Sequence, residues 1–236
     1  MDPDIRALEE MYAYPSTRQP WIRTNFVSTP DGAAYACDGL SGSLGGPVDA
    51  RVFALLRSLA DVILVGAGTA RAEGYQPVRK GELDADLRQR LGLRPIPPIA
   101  IVSKSLNIPV ALIAPGQIVI TTEDAPKARV EALREQVDVI AAGEGEIDWY
   151  QVKSRLAAHG MNRVLCEGGP TLHGRLIEHD LVDELCLSIA PILVTGTAPR
   201  IAHGPTAVEL HLTLAHALQV GDLLLTRWVR NRALPD

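Results

Sequence analysis

Residues 163–194 read RVLCEGGPTLHGRLIEHDLVDELCLSIAPILV. Arg163–Cys166 is a short apolar run, Gly168 and Gly169 interrupt it, and Pro170 can open a helix because its missing N–H is one the first turn would leave unpaired anyway. Leu172, Leu176 and Ile177 then share one helical face, and Val182–Leu193 is a long apolar run of the kind a buried strand shows. Strand, glycine turn, helix and strand make the repeating unit of a parallel sheet.

Working outward, the same alternation recurs. Trp21–Ser28 reads as a strand and Asp61–Val65 as a buried one, with further short apolar runs at Pro98–Ser103, Gln117–Thr121 and Val137–Ala141. Behind Pro47, residues Val48, Val52, Leu55, Leu56 and Leu59 fall on one helical face. Asp124 is placed to cap a helix with Pro126 in its first turn and Val130, Leu133 and Val137 on its apolar face. Asp148 and Gln151 have capping-box spacing, and Gly160 stops that helix after His159. At the end, Glu209–Val220 and Leu223–Val229 flank Gly221-Asp222, a hairpin signal. The expected class is a three-layer α/β fold with a mixed, mostly parallel sheet ending in antiparallel strands. Residues 1–20 read as an N-terminal appendage, 21–236 as a single domain, and the charged, proline-rich Tyr75–Pro98 as a mobile insertion.

Composition narrows the function classes. Of 236 residues 47% are apolar, enough for a core without disulfides, and 23 basic against 28 acidic residues give −5, with no basic footprint for nucleic acid or an anionic membrane. Cys37, Cys166 and Cys186 lack CxxC spacing and read as reduced thiols of a cytoplasmic protein. No secretory h-region opens the chain, and no apolar run approaches the roughly 20 residues that span a bilayer. The six histidines have no metal-ligand spacing, and GLSGS at 39–43 ends on Ser43 where a nucleophile elbow needs glycine, so no metal and no acyl transfer are expected.

Two glycine-rich junctions suggest a phosphate site. Gly66 and Gly68 follow the Asp61–Val65 strand in LVGAGTARAEG, and Gly168 and Gly169 follow the Arg163–Cys166 strand. Such turns offer unpaired N–H groups and let backbone approach a pyrophosphate closely. The first is no GxGxxG fingerprint, since Arg71 stands where the third glycine belongs.

The stretch NFVSTPDGAAYACDGLSGSLGGP (25–47) resembles the opening of the reductase domain of riboflavin-biosynthesis bifunctional deaminase-reductases, with its SxDG turn and Ser/Gly-rich loop. VGAGTAR (65–71) resembles that family's GxGT cofactor turn, and 164–194 its EGGP segment. The resemblance implies a dihydrofolate-reductase-like fold, NADPH as hydride donor, a homodimer, and reduction of the ribosyl group of 5-amino-6-(5-phosphoribosylamino)uracil to a ribityl chain. The zinc deaminase signature has no counterpart, which implies a stand-alone reductase or a paralogue. Carried over, Asn25, Ser28, Ser41, Ser43, Arg57 and Glu73 are expected at the substrate, Arg57 as its phosphate ligand. Gly66, Gly68, Thr69, Gly168, Gly169, Pro170 and Thr171 are expected at the cofactor pyrophosphate, and Ser103 and Lys104 at its 2′-phosphate. Asp31 and Glu167 are expected to face the reacting groups, a buried carboxyl of raised pKa giving the proton. Each has a plainer reading: Asp31-Gly32 as a turn, Glu167 as a helix cap, Arg57 as a solvated helix residue.

Two departures fall on the substrate side. The acidic D-x-P element after the GxGT turn is replaced by Glu73-Gly74-Tyr75, and Ser43 replaces a frequent aromatic residue. Two alternatives therefore stand: a paralogue reducing dihydrofolate or another pterin-like heterocycle, and a non-catalytic NADPH-binding protein. Arg57 with the Ser41–Ser43 loop separates the riboflavin-pathway reading from the pterin one, since a phosphoribosyl substrate needs an anion clamp there and a pterin does not.

Overall fold

The computed structural model describes residues 5–16 and 19–230. Residues 1–4 and 17–18 of the expected appendage, and 231–236 of the expected domain, lie outside the described residues. Nine strands form one sheet: β1 Trp21–Ser28, β2 Val62–Gly66, β3 Ile99–Val102, β4 Ile118–Thr121, β5 Asp138–Ala141, β6 Arg163–Cys166, β7 Glu184–Ile189, β8 Leu212–Val220 and β9 Leu223–Arg230. Their order is β5-β4-β3-β2-β6-β1-β7-β9-β8. Every pairing from β5 to β7 is parallel, and β7–β9 and β8–β9 are antiparallel, as the sequence led one to expect.

Alternate residues of the central strands face opposite layers. Ile63, Val65, Ile99 and Ile101 pack with Val52, Leu55, Leu56 and Leu59 of helix α2 (Gly42–Leu59). Val62, Leu64, Ile118 and Ile120 pack with Trp149, Val152 and Leu156 of one helix and Leu172 and Leu176 of another. The continuous apolar runs of β2 to β4 are therefore buried on both faces. Helix α2 carries a kink where Gly46 adopts φ +67° just before Pro47, a conformation glycine reaches without a Cβ penalty.

Two local expectations need correction. The helix after β4, Lys127–Arg134, takes Pro126 at its N-cap, while the Asp124 carboxylate accepts from Gly145 N–H at 3.1 Å. Asp124 closes the turn onto the Gly143–Gly145 loop because two residues of spacer put it out of reach of the helix N–H groups. Asp148, by contrast, caps the helix Trp149–Ala158, accepting from the N–H groups of Tyr150 and Gln151 at 3.0 Å. The Tyr75–Pro98 segment, expected as a mobile insertion, is pinned by buried Arg88, which donates to the carbonyls of Arg57, Ser58, Ala60 and Arg94. No helix among the described residues is long and apolar enough to cross a membrane.

The first helix, α1 (Ile5–Met11), is fastened by charge. Arg23 of β1 and Arg227 of β9 both grip Glu184 of β7, at 2.6 and 2.9 Å, and Trp21 Nε1 donates to it at 3.0 Å. Arg23 and Glu184 are fully buried. The same arginines donate to the carbonyls of Tyr12 and Met11, at the end of α1. Burial pushes the Glu184 carboxyl up, but the two guanidinium groups outweigh it and hold the carboxyl below its ordinary range. Glu184→Gln leaves Arg23 buried without its counter-ion and is expected to cost about 3–5 kcal/mol of stability, read from the midpoint of urea unfolding. An unchanged midpoint would show the network to be dispensable.

Candidate active site

Parallel strands β2 and β6 are neighbours, so their exits lie side by side at the carboxyl edge of the sheet, where open α/β sheets take their ligands. From β2 the chain turns through Gly66 into α3 (Ala67–Ala72). From β6 it turns through Glu167, Gly168 and Gly169 into α7 (Pro170–Glu178). The two turns press together. Gly66 N–H donates to the Gly168 carbonyl at 2.8 Å, and Glu167 N–H donates to Leu64 at 2.9 Å. A Cβ on Gly169 would fall 2.2 Å from Thr69 Oγ1, and one on Gly168 (φ +92°) 2.9 Å from the Phe26 ring. These glycines are thus required by contact, and the turn residues expected at the cofactor are brought to one place.

A cleft opens on each side of this contact. One is a cavity of about 410 Å³, with Thr69, Gly169 and Pro170 on its rim and Asn25, Phe53 and Tyr75 among its walls. The other, of about 420 Å³, has Gly66, Gly68 and Thr171 on its rim. It is lined by Ser103, Lys104, Arg71 and Arg175, with Glu146 as its acid. Lys104 Nζ pairs with Glu146 at 2.7 Å, and Arg175 with Glu178 at 3.0 Å. A Cβ at Gly68 would meet nothing within 4 Å, so its backbone stands open to a ligand. Three cations against one acid, two hydroxyl-bearing walls and the N–H groups of α7 are the donor set a phosphorylated dinucleotide needs. The residues present fit NADPH.

The substrate-side residues fall out differently from expectation. Asn25, Ser41, Arg57, Glu73 and Glu167 line the first cavity, while Ser28, Ser43 and Asp31 do not. Ser28 Oγ donates to the Thr29 carbonyl, and exposed Ser43 donates to Asp38. Ser41 donates to Glu73 from both N and Oγ at 2.9 Å, closing the loop on itself. Asp31 is exposed and accepts from Thr29 Oγ1 and, at 3.1 Å, from Val194 N–H. The Thr29 hydrogen bond, then that of Val194, holds its carboxyl below the usual range. The geometry therefore corrects the expected role: Asp31 straps the end of β1 to the segment after β7 and has none of the burial a proton donor was expected to have.

Arg57 and Glu167, expected to meet two different parts of the substrate, meet each other. Arg57 Nε and Nη2 donate to the two Glu167 oxygens at 2.7 and 2.8 Å, and Nη1 lies 3.9 Å from Glu82. Tyr75 Oη donates to Glu167 at 2.8 Å, and the Arg57 guanidinium stacks 4.3 Å from the Phe53 ring centre. Burial disfavours the Arg57 charge, yet Glu167 more than offsets it and the guanidinium is held more firmly protonated. Burial and the neighbouring Glu167 charge push the Tyr75 phenol well up.

Sequence reasoning missed Asp49 and Phe53, both of which line this cavity, and Tyr75, read only as part of a substrate-side departure, lines it as well. A signal existed for the first two. Asp49, Phe53 and Arg57 are spaced by four on α2 and so share one face. Among the described residues no three His, Cys, Asp or Glu side chains converge as a metal site.

Behind the turn, His173 is buried, stacks on Phe26 at 4.5 Å and contacts the Ile201 carbonyl through Nδ1 at 3.0 Å. A carbonyl only accepts, so Nδ1 carries the proton. Burial lowers the His173 pKa to about 4, against about 6.5 in an unfolded chain. Between those values the unfolded chain binds the extra proton, so this stability is complete above about pH 6.5 and is lost as the pH falls toward 4. The loss amounts to roughly 3 kcal/mol at about 1.4 kcal/mol per pKa unit. His173→Asn keeps an amide donor for Ile201 and should flatten this part of the curve, measured as the difference in unfolding free energy between pH 7.5 and 4.5. Equal differences in the two proteins would refute it.

The sequence profile of the RibD C-terminal domain matches residues 20–226. The 2,5-diamino-6-ribosylamino-4(3H)-pyrimidinone 5′-phosphate reductase of Methanothermobacter thermautotrophicus is 29% identical over 220 residues, covering 89% of this chain and 98% of that one. The riboflavin biosynthesis protein RibD of Escherichia coli is 30% identical over 200 residues, covering 81% of this chain and 53% of its own length. Among solved structures, a pyrimidine reductase-like protein from Corynebacterium diphtheriae superposes with TM-score 0.80 at 27% identity, covering 95% of this chain and 98% of that one.

Proposed function

The chain belongs to the RibD C-terminal domain family, and we propose that it acts there as an NADPH-dependent reductase of a nitrogen heterocycle. The observation that carries this reading is the contact of the two glycine turns between a cation-lined cleft and an aromatic-walled cavity. When bound, NADPH supplies the hydride. Lys104, Ser103, Arg71 and Arg175 would hold its 2′-phosphate, and the Gly66–Thr69 and Gly168–Thr171 turns its pyrophosphate. The wall of Asn25, Phe53 and Tyr75 orients the acceptor ring and excludes water from it.

The named activity of the archaeal relative suggests a ribosylaminopyrimidine 5′-phosphate as substrate. A second reading, dihydrofolate or another pterin, is favoured by a specific observation: the one arginine lining the cavity is already bound through two nitrogens to Glu167. NADPH oxidation, followed at the reduced-nicotinamide absorbance band with each heterocycle in turn, separates the two. Oxidation with neither, while NADPH still binds, would leave the non-catalytic reading and overturn the enzyme. Lys104→Ala should weaken NADPH binding by about tenfold or more, as loss of a charge-assisted contact does, and leave NADH binding unchanged when titrated by nucleotide fluorescence. Equal effects on both nucleotides would remove Lys104 from the 2′-phosphate.

A further inference from the structure

Residues 199–206, between β7 and β8, lie along α7 and touch it at several points. His203 N–H donates to the Pro170 carbonyl at 3.3 Å, Thr206 N–H donates to Glu178 at 3.3 Å, and the Ile201 carbonyl accepts from His173 Nδ1 at 3.0 Å. A Cβ on Gly174 would fall 2.1 Å from the His203 carbonyl oxygen, so the missing side chain there lets the segment lie against the helix. The near end is held as well. Ala34, which lines the aromatic-walled cavity, donates its N–H to the Pro199 carbonyl at 2.9 Å. His203 is thus set against the first turn of α7 by backbone contacts that do not involve its own side chain.

The imidazole reaches one group on that turn: its Nε2 lies 3.3 Å from Thr171 Oγ1. Thr171 and Arg175 are four residues apart on α7 and so share a face, and both line the cation-lined cleft. His203 does not line that cleft; it lines a separate cavity of about 610 Å³. Its route to a nucleotide in the cleft therefore runs through Thr171.

A threonine hydroxyl has one proton to give and lone pairs with which to accept. A diphosphate oxygen only accepts, so Thr171 can hold one only with its proton turned into the cleft. A bare Nε2 would take that proton and leave a lone pair facing the phosphate. An Nε2–H would occupy a lone pair instead and leave the proton for the ligand. The two tautomers of His203 give Thr171 opposite polarity toward the same group.

We infer that His203 is a positioning residue for the dinucleotide: its Nε2–H donates to Thr171 Oγ1, and the Thr171 hydroxyl then donates to the diphosphate. This rests on the reductase reading above and adds to that site a residue from outside its walls. His173 is held the other way, giving Nδ1–H to Ile201, so the same segment keeps two histidines in opposite tautomers.

Two measurements on the full chain test this. A long-range proton–nitrogen correlation spectrum of the unliganded protein at about pH 8 reads the tautomers, and His203→Gln identifies the His203 signals by their loss. Nε2–H is expected at His203 and Nδ1–H at His173; Nδ1–H at His203 would overturn the inference. Nucleotide fluorescence then gives the affinities for NADPH and NADH, which share the diphosphate. His203→Ala should weaken both by about 5–10-fold with the thermal midpoint held, while His203→Gln, whose amide N–H has the same reach, should restore them. In a Thr171→Val background, His203→Ala should cost nothing further. A loss that persists in that background, that spares NADH, or that is equal in His203→Gln would overturn the inference. Failure of the wild-type chain to bind either nucleotide would instead overturn the reductase reading, and the tautomer spectrum would still decide which way His203 sets the Thr171 hydroxyl.

Discussion

Two strand exits lie so close at the carboxyl edge of this sheet that backbone touches backbone. Gly66 donates to Gly168, and the side chain of Thr69 fills the space a Cβ on Gly169 would take. Everything the site can do depends on that approach. It sets the rims of both clefts, and it leaves the backbone at Gly68 open. Because Glu167 N–H is tied to Leu64, it also fixes the Glu167 carboxylate in the wall of the aromatic-lined cavity. The parallel pairing of β2 with β6 makes this possible, since antiparallel neighbours would send their exits to opposite edges.

Much of the scaffold was legible in the sequence, for reasons particular residues make clear. Strands β2 to β4 are buried on both faces and so read as unbroken apolar runs. Pro170, Gly160 and the Gly221-Asp222 step act within a few residues of themselves, where local rules suffice. Asp124 and Asp148 look alike in sequence, yet only Asp148 caps its helix. The difference is two residues of spacer and a competing N–H from the Gly143–Gly145 loop. The turn glycines of the candidate site were equally legible, because their role is backbone geometry.

The polar centre of the cavity was not. Arg57 and Glu167 are 110 residues apart, and each alone reads as a residue aimed at a ligand. Nothing local says that they saturate each other, or that Tyr75 completes the arrangement from a third element. Long-range charge pairing is decided by the fold, and here it joins the expected phosphate ligand to a buried carboxylate.

The fastening of α1 has an implication for the order in which the chain can assemble. The carbonyls of Met11 and Tyr12 are held by Arg227 and Arg23, and both guanidinium groups depend on Glu184. Arg227 lies 216 residues beyond Met11. Helix α1 therefore cannot dock fully until β9 has been made, because part of its anchor lies 216 residues later in the chain. Until then Leu8 and Tyr12, buried in the finished molecule, have no complete surface to cover. Helix α1 and strand β9 share one lock, and a nascent polypeptide lacking β9 would present an undocked α1 to the quality-control machinery of the cell.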